Sequence, residues 1–105
     1  MATISTASVV EGSLAQVRRI VLAGLRPHRA EVFLFGSRAV GGARAGSDID
    51  VAILPLEPLP LETLAEIREA LEESTVPYRV DLVDLRYAPT GLRDRVLREG
   101  VPWTE

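Results

Sequence analysis

Phe33-Leu34-Phe35-Gly36-Ser37-Arg38-Ala39-Val40-Gly41-Gly42-Ala43-Arg44-Ala45-Gly46-Ser47-Asp48-Ile49-Asp50-Val51-Ala52-Ile53-Leu54 is the stretch whose reading decides the fold. It holds two apolar runs joined by a Gly/Ala-rich loop. The second run, Asp48 to Leu54, alternates as a strand does. Ile49, Val51 and Ile53 then point to one face, and Asp48, Asp50, Ala52 and Leu54 to the other. Two carboxylates on one strand face lie roughly 7 Å apart. They repel each other, and burying them unpaired is costly. A solvated strand end would tolerate the pair. A divalent cation would resolve it, because Mg²⁺ takes hard oxygen ligands, commonly one or two carboxylates together with phosphate oxygens.

The first run, Glu31 to Phe35, reads as a short apolar strand that Gly36 ends. Ser37-Arg38-Ala39-Val40 can open a helical turn with Ser37 as its N-cap. Glycine lets the backbone approach a ligand closely, and free N–H groups at a helix start favour anions such as phosphate. The Ser37 hydroxyl can donate to a phosphate oxygen, and Arg38 can offset its charge. An ordinary strand–turn–helix junction would look the same. The informative feature is the pair of anchors and their spacing: Gly36-Ser37, ten residues, then Asp48-Ile49-Asp50.

Composition bounds the answer. At 105 residues and 11.4 kDa the chain reads as one domain with a modest core, 47% of its residues being hydrophobic. No room is left for a separate substrate domain. Cysteine is absent, which removes disulfides and thiolate metal sites and fits an intracellular, cytoplasmic protein. A single His rules out a His-rich metal site. No apolar run is long enough to span a membrane. The first ten residues lack the features of a secretory signal and read as a loose tail. A net charge of −3 and a pI near 5.2 argue against a broad nucleic-acid surface. All 12 basic residues are Arg, so any cationic clamp must be a guanidinium.

Outside the central stretch, Ser13-Leu14-Ala15-Gln16 resembles a capping box and starts a helix with Leu14, Val17, Val21 and Leu25 at helical spacing, ending near Pro27. Pro55 to Pro60 is a stiff connector. A helix over about Leu61–Ser74 carries Leu64, Ile67, Ala70 and Leu71 on one side. A third strand covers about Arg79–Leu85, and a last helix about Thr90–Glu99 stops at Gly100 with Pro102 beyond. This order implies an α/β fold, a small sheet with helices packed against it. Asp81 and Asp84 lie on the third strand. Being three apart they face opposite sides, so at most one joins Asp48 and Asp50. His28 reads as an incidental loop residue, Trp103 as core packing, and Leu56, Leu59 and Leu61 as packing over the sheet.

The segment Gly36 to Val51 fits the Gly-Ser-x10-Asp-x-Asp signature and closely resembles the minimal nucleotidyltransferases of the polymerase-beta-like superfamily. The resemblance is strongest over Phe33 to Leu54. It implies a polymerase-beta-like nucleotidyltransferase core, with a small mixed β-sheet and flanking helices. It places the third carboxylate at Asp81, within Val80-Asp81-Leu82-Val83, and leaves Asp84 as a strand-end residue. It implies two Mg²⁺ ions held by Asp48, Asp50 and Asp81. ATP would be held by Gly36, Ser37, Arg38 and Ser47, with Arg44 able to swing onto the phosphates. Many relatives carry a second Arg where this chain has Val40, which removes one cationic contact. Relatives of this size often pair with a HEPN-domain toxin as its antitoxin, and some transfer AMP to a toxin tyrosine. That is the leading expectation. A small-molecule adenylyltransferase, which would need a dimer interface or second domain to complete its acceptor pocket, is one alternative. A non-catalytic module that binds nucleotide or masks a partner is the other.

Overall fold

A computed structural model describes residues 6–41, 43 and 46–104. The element order is α1 (Thr6–Leu25), β1 (Ala30–Phe35), α2 (Ser37–Val40), β2 (Ile49–Pro55), α3 (Thr63–Glu73), β3 (Val80–Asp84), α4 (Thr90–Glu99) and β4 (Val101–Pro102). The strands form one sheet in the order β3-β2-β1-β4. β1 pairs antiparallel with β2 and β4, and β2 pairs parallel with β3, so the sheet is mixed as the resemblance implies. No helix among the described residues is long and apolar enough to cross a membrane.

The alternation along β2 sorts its side chains as expected. Ile49, Val51 and Ile53 join Val32, Leu34 and Leu82 on one face of the sheet, under Val17, Val21 and Leu25 of α1 and Ile67 and Leu71 of α3. Each such residue, fully buried, contributes about 1.5–3 kcal/mol. α1 and α3 meet closely because Gly24 has no side chain: a Cβ there would run into Ile67. The opposite face is smaller. Phe33, Ala52, Leu85 and Val96 are buried on it, with Leu92 of α4 beside them. Asp50, two residues before Ala52 on β2, belongs to this second face. Trp103 packs into the larger core, 8% exposed, and its backbone N–H donates to the Val32 carbonyl at 2.7 Å.

Five expectations change. The first helix begins at Thr6, so residues 6–10 are helical rather than a loose tail, while residues 1–5 lie outside the described residues. Ser13 is therefore a buried residue inside α1 and not its cap. Of the proline-segment leucines only Leu59 packs on the core; Leu56 is half in solvent and Leu61 is 98% exposed, because α3 starts later than its apolar pattern suggested. Ala70 likewise faces solvent. β4 was not foreseen. It is two residues long and lies at the sheet edge, where proline is tolerated.

Candidate active site

The site forms where β1 ends and β2 and β3 begin. Gly36 closes β1 with φ 75° and ψ −157°, backbone territory open essentially to glycine alone. The absence of a side chain matters as much as the dihedrals. A Cβ on Gly36 would collide with Oδ2 of Asp50 and lie 3.2 Å from its Cγ. The Gly-Ser turn and the second acid of the D-x-D are thus in direct contact, and the glycine makes the contact possible.

α2 follows as a single turn. Ala39 and Val40 donate to the Gly36 carbonyl at 3.1 and 3.2 Å, and Gly41, left-handed at φ 90°, closes the turn onto the Ser37 carbonyl at 3.0 Å. Gly36, not Ser37, occupies the N-cap position, and no side chain caps the turn. The expected Ser37 cap is corrected for this reason: Ser37 is already the first helical residue, which leaves its hydroxyl out of capping geometry. Ser37 is half-buried.

Asp48 precedes β2 and is exposed, whereas Asp50 lies within β2 and is half-buried. Asp50 is in register with Asp81 on β3, so the two carboxylates are neighbours across the parallel pair. The Asp50 carboxyl is pushed above its ordinary value, first by burial, then by the charge of Asp81, then by that of Asp48. The three acids therefore share one field. Among the described residues no three acidic or imidazole groups converge closely enough to form a metal cage by themselves. Mg²⁺ takes hard oxygen donors, commonly one or two carboxylates together with phosphate oxygens. The donor set, hard carboxylate oxygens without thiol or imidazole, fits the same ion.

Asp84 stands apart. It closes β3 on the other face, where Arg86 grips it through Nη2 at 2.8 Å and its backbone N–H at 2.9 Å. Burial alone would push the Asp84 carboxyl up, but the hydrogen bonds and charge of Arg86 outweigh this and hold it below the ordinary value. It is a strand-end residue.

Arg38 does something the motif does not advertise. Its Nε and Nη2 both donate to the Ser47 carbonyl, at 3.0 and 2.5 Å, and its guanidinium lies over the Tyr78 ring at 4.6 Å. Tyr78 escaped the sequence reading. The only signal was an aromatic three residues ahead of Asp81, and nothing local connects that residue to Arg38. Ser47 is half-buried at the mouth of the site, and Arg44 lies outside the described residues. Two clefts open near the site. One of about 380 Å³ runs between α3 and the edge strand β3 and includes Tyr78 and Asp81. The other, about 210 Å³, lies between α4 and the Gly-Ser turn and includes Phe35, Gly36 and Arg95.

Comparison with known proteins agrees with this geometry. The chain is 47% identical over 53 residues to a probable protein adenylyltransferase MntA of Haemophilus influenzae, a match covering 50% of this chain and 46% of the relative. The chain spans about half the length of the curated relatives it matches. Its fold is similar to that of a toxin–antitoxin structure with AMP-PNP, with TM-score 0.65 and 33% identity, covering 83% of this chain and 72% of the other. It is also similar to a chain from the complex of tri-AMPylated Shewanella oneidensis HEPN toxin with MNT antitoxin, with TM-score 0.64 and 26% identity, covering 90% and 71%. Residues 26–103, which run from the end of α1 through Trp103 and include every acid of the site, match the family "Polymerase beta, Nucleotidyltransferase", and the chain belongs to that family.

Proposed function

We propose that this chain is a Mg²⁺-dependent adenylyltransferase that moves AMP from ATP onto a tyrosine of a HEPN-type toxin, acting as its antitoxin in the cytoplasm. The observation that carries the proposal is Asp50 itself, which touches the Gly36–Ser37 turn, stands in register with Asp81 and feels the charges of Asp81 and Asp48. The AMP-PNP and the AMPylated toxin of the similar structures support the choice of nucleotide and acceptor.

In this reading Gly36 and Ser37 hold the β- and γ-phosphates through backbone N–H groups and the Ser37 hydroxyl, and Ser47 lines the same mouth. Asp48, Asp50 and Asp81 hold the metal. Bound Mg²⁺ supplies charge neutralisation on the phosphates and activation of the attacking oxygen. In this reading the triphosphate lies on the β1 side, by the Gly-Ser turn, and the acceptor hydroxyl approaches over β3, beside Asp81. The tyrosine oxygen forms a bond to the α-phosphorus, the bond to the bridging oxygen breaks, and pyrophosphate leaves. Asp81 takes the phenolic proton.

Calorimetric titration of ATP into the chain tests the site. Binding is expected with Mg²⁺, and its loss is expected without Mg²⁺ or in the folded Asp48→Asn/Asp50→Asn variant. Incubation of the wild type with Mg²⁺, ATP and a HEPN toxin is expected to add AMP to a toxin tyrosine. A double variant that retains Mg²⁺-dependent affinity would overturn the site. A double variant that neutralises the toxin as well as wild type would overturn the catalytic role in favour of masking.

A further inference from the structure

Arg38 leads out of the Gly-Ser turn, and its charge suggests a phosphate contact. Its bonds point elsewhere. Two of its five N–H donors converge on one carbonyl, that of Ser47, and its face is taken by the Tyr78 ring. We infer that Arg38 is a positioning residue, which acts by tying the three chain segments of the site to one another, and that Tyr78 is its second anchor. The inference rests on the adenylyltransferase reading for its functional consequence, though not for its structural one.

The three segments need such a tie. The β1–β2 ladder ends at the Phe35–Asp50 pair, and the β2–β3 ladder begins at Ile49, whose N–H donates to the Arg79 carbonyl at 2.9 Å. Asp48 lies just outside both ladders. Arg38 anchors the backbone one residue upstream of Asp48, with two charge-assisted hydrogen bonds to a single oxygen. On its other side Tyr78 lies two residues ahead of β3, the strand that carries Asp81. One side chain from α2 therefore touches the segment that carries Asp48 and Asp50 and the segment that carries Asp81. It springs from the residue next to Ser37. A metal site shared between carboxylates and phosphates depends on those spacings to fractions of an ångström. Lysine cannot substitute: it lacks both the fork that places two N–H groups on one oxygen and the flat face that stacks on a ring.

Four variants test the inference: Arg38→Ala, Arg38→Lys, Tyr78→Leu and Tyr78→Phe, each confirmed folded by circular dichroism. The first readout is the Mg²⁺ concentration giving half-maximal ATP binding. Arg38→Lys and Tyr78→Leu are each expected to raise it, on the order of tenfold. Tyr78→Phe keeps the ring and should match wild type. Arg38→Lys combined with Tyr78→Leu should be little worse than Arg38→Lys alone, because both break one unit. The second readout needs no nucleotide. Amide hydrogen exchange over residues 48–50 and 80–82 should quicken in Arg38→Lys and Tyr78→Leu and stay unchanged in Tyr78→Phe. Two results would overturn the inference. One is unchanged exchange at these amides. The other is ATP affinity that falls equally at all Mg²⁺ concentrations in Arg38→Ala while Tyr78→Leu behaves as wild type, which marks a direct phosphate contact. If the wild type binds no Mg²⁺·ATP and exchange still quickens in the variants, the adenylyltransferase reading fails and the positioning role stands.

Discussion

Replacing Gly36 by Ala sets the backbone and the acid cluster against one another. At φ 75° and ψ −157° an alanine pays a conformational strain of about 1–3 kcal/mol. Its Cβ also overlaps Oδ2 of Asp50, and the carboxylate or the turn has to move. Forcing an extra carbon into a filled site typically costs a further ~1–3 kcal/mol. The total, on the order of 3 kcal/mol, is less than the ~5–15 kcal/mol that holds a typical domain together, so the variant should fold. The molecule contains its own control. Gly41 is also left-handed, at φ 90°, but a Cβ there meets nothing within 4 Å. Gly41→Ala should therefore show only the left-handed penalty, about 1–2 kcal/mol. Urea denaturation of the three proteins gives the comparison, and ATP titration with Mg²⁺ gives its functional counterpart. Gly36→Ala should lose more stability than Gly41→Ala and should lose Mg²⁺-dependent binding, while Gly41→Ala keeps it. Equal stability losses with nucleotide binding intact in Gly36→Ala would refute the claim that the glycine exists to admit Asp50.

The same structure fixes the outcome of other substitutions. Without divalent cations, Asp50→Asn should be more stable than wild type at pH 7. The Asp50 carboxyl is raised in the folded state, so its protonated form favours folding and stability is lost as pH rises from 3.8 through the folded value. The advantage of the variant should accordingly vanish as pH falls toward 3.8, and acid-to-neutral denaturation curves of the two proteins check this. Asp84→Asn should behave in the opposite sense. Asp84 is held below 3.8 by Arg86, so its stabilisation is present above that pH and lost as pH falls through the folded value, and the variant should cost about 1 kcal/mol at neutral pH by urea titration. Gly24→Ala improves helix propensity yet places a Cβ into Ile67, and should destabilise by about 1–3 kcal/mol; a thermal midpoint at or above that of wild type would contradict the packing of α1 on α3. Gly24→Ala combined with Ile67→Val, which trims the opposing side chain, should recover part of that loss.

What the sequence disclosed and what it withheld divide along the range of the interactions. β2 was legible because its alternation is local, and Ile49, Val51 and Ile53 are all fully buried as that pattern requires. α4 was legible to the residue because its apolar pattern ends at a Gly and a Pro, and it spans Thr90–Glu99. Gly100 stops it for a reason that propensity does not contain. Gly100 is extended, not left-handed, and a Cβ there would lie 2.5 Å from the Val96 carbonyl and 3.3 Å from Phe33. Local pattern could not separate Asp81 from Asp84, since both alternate correctly on β3. The β2–β3 register separates them by placing Asp81 opposite Asp50. Gly36 against Asp50, and Arg38 between Ser47 and Tyr78, were hidden for the same reason. Each partner is unremarkable in its own segment, and only the topology brings them together.

The site is held in a state that the fold does not favour for its own sake. Asp50 is half-buried with two like charges nearby, and the carboxyl responds by holding its proton more tightly than a free aspartate. Gly36 occupies backbone space that almost no other residue enters, at the one point where Asp50 needs room. Each feature costs stability, and each is confined to the mouth formed by β1, β2 and β3. Asp84, on the same strand as Asp81, shows the contrasting solution: a carboxylate given an arginine and a turn of hydrogen bonds settles below its ordinary value. Arg38 lies at the mouth and could have done the same for the acids, yet it bonds to a carbonyl and stacks on a ring. In the proposed reading the guanidinium arranges the acids rather than pairing with them, which leaves their charge to a cation arriving with the substrate. Moving that charge pairing inside the protein should expose the trade. A Val40→Arg variant adds a cation at this position. If its guanidinium reaches the acids, it should stabilise the apo protein and weaken Mg²⁺ dependence. If it reaches only the triphosphate, ATP affinity should rise with the Mg²⁺ requirement unchanged. Calorimetry across a Mg²⁺ series separates the two, and a variant identical to wild type in both respects would mean that position 40, 61% exposed, points away from the chemistry altogether.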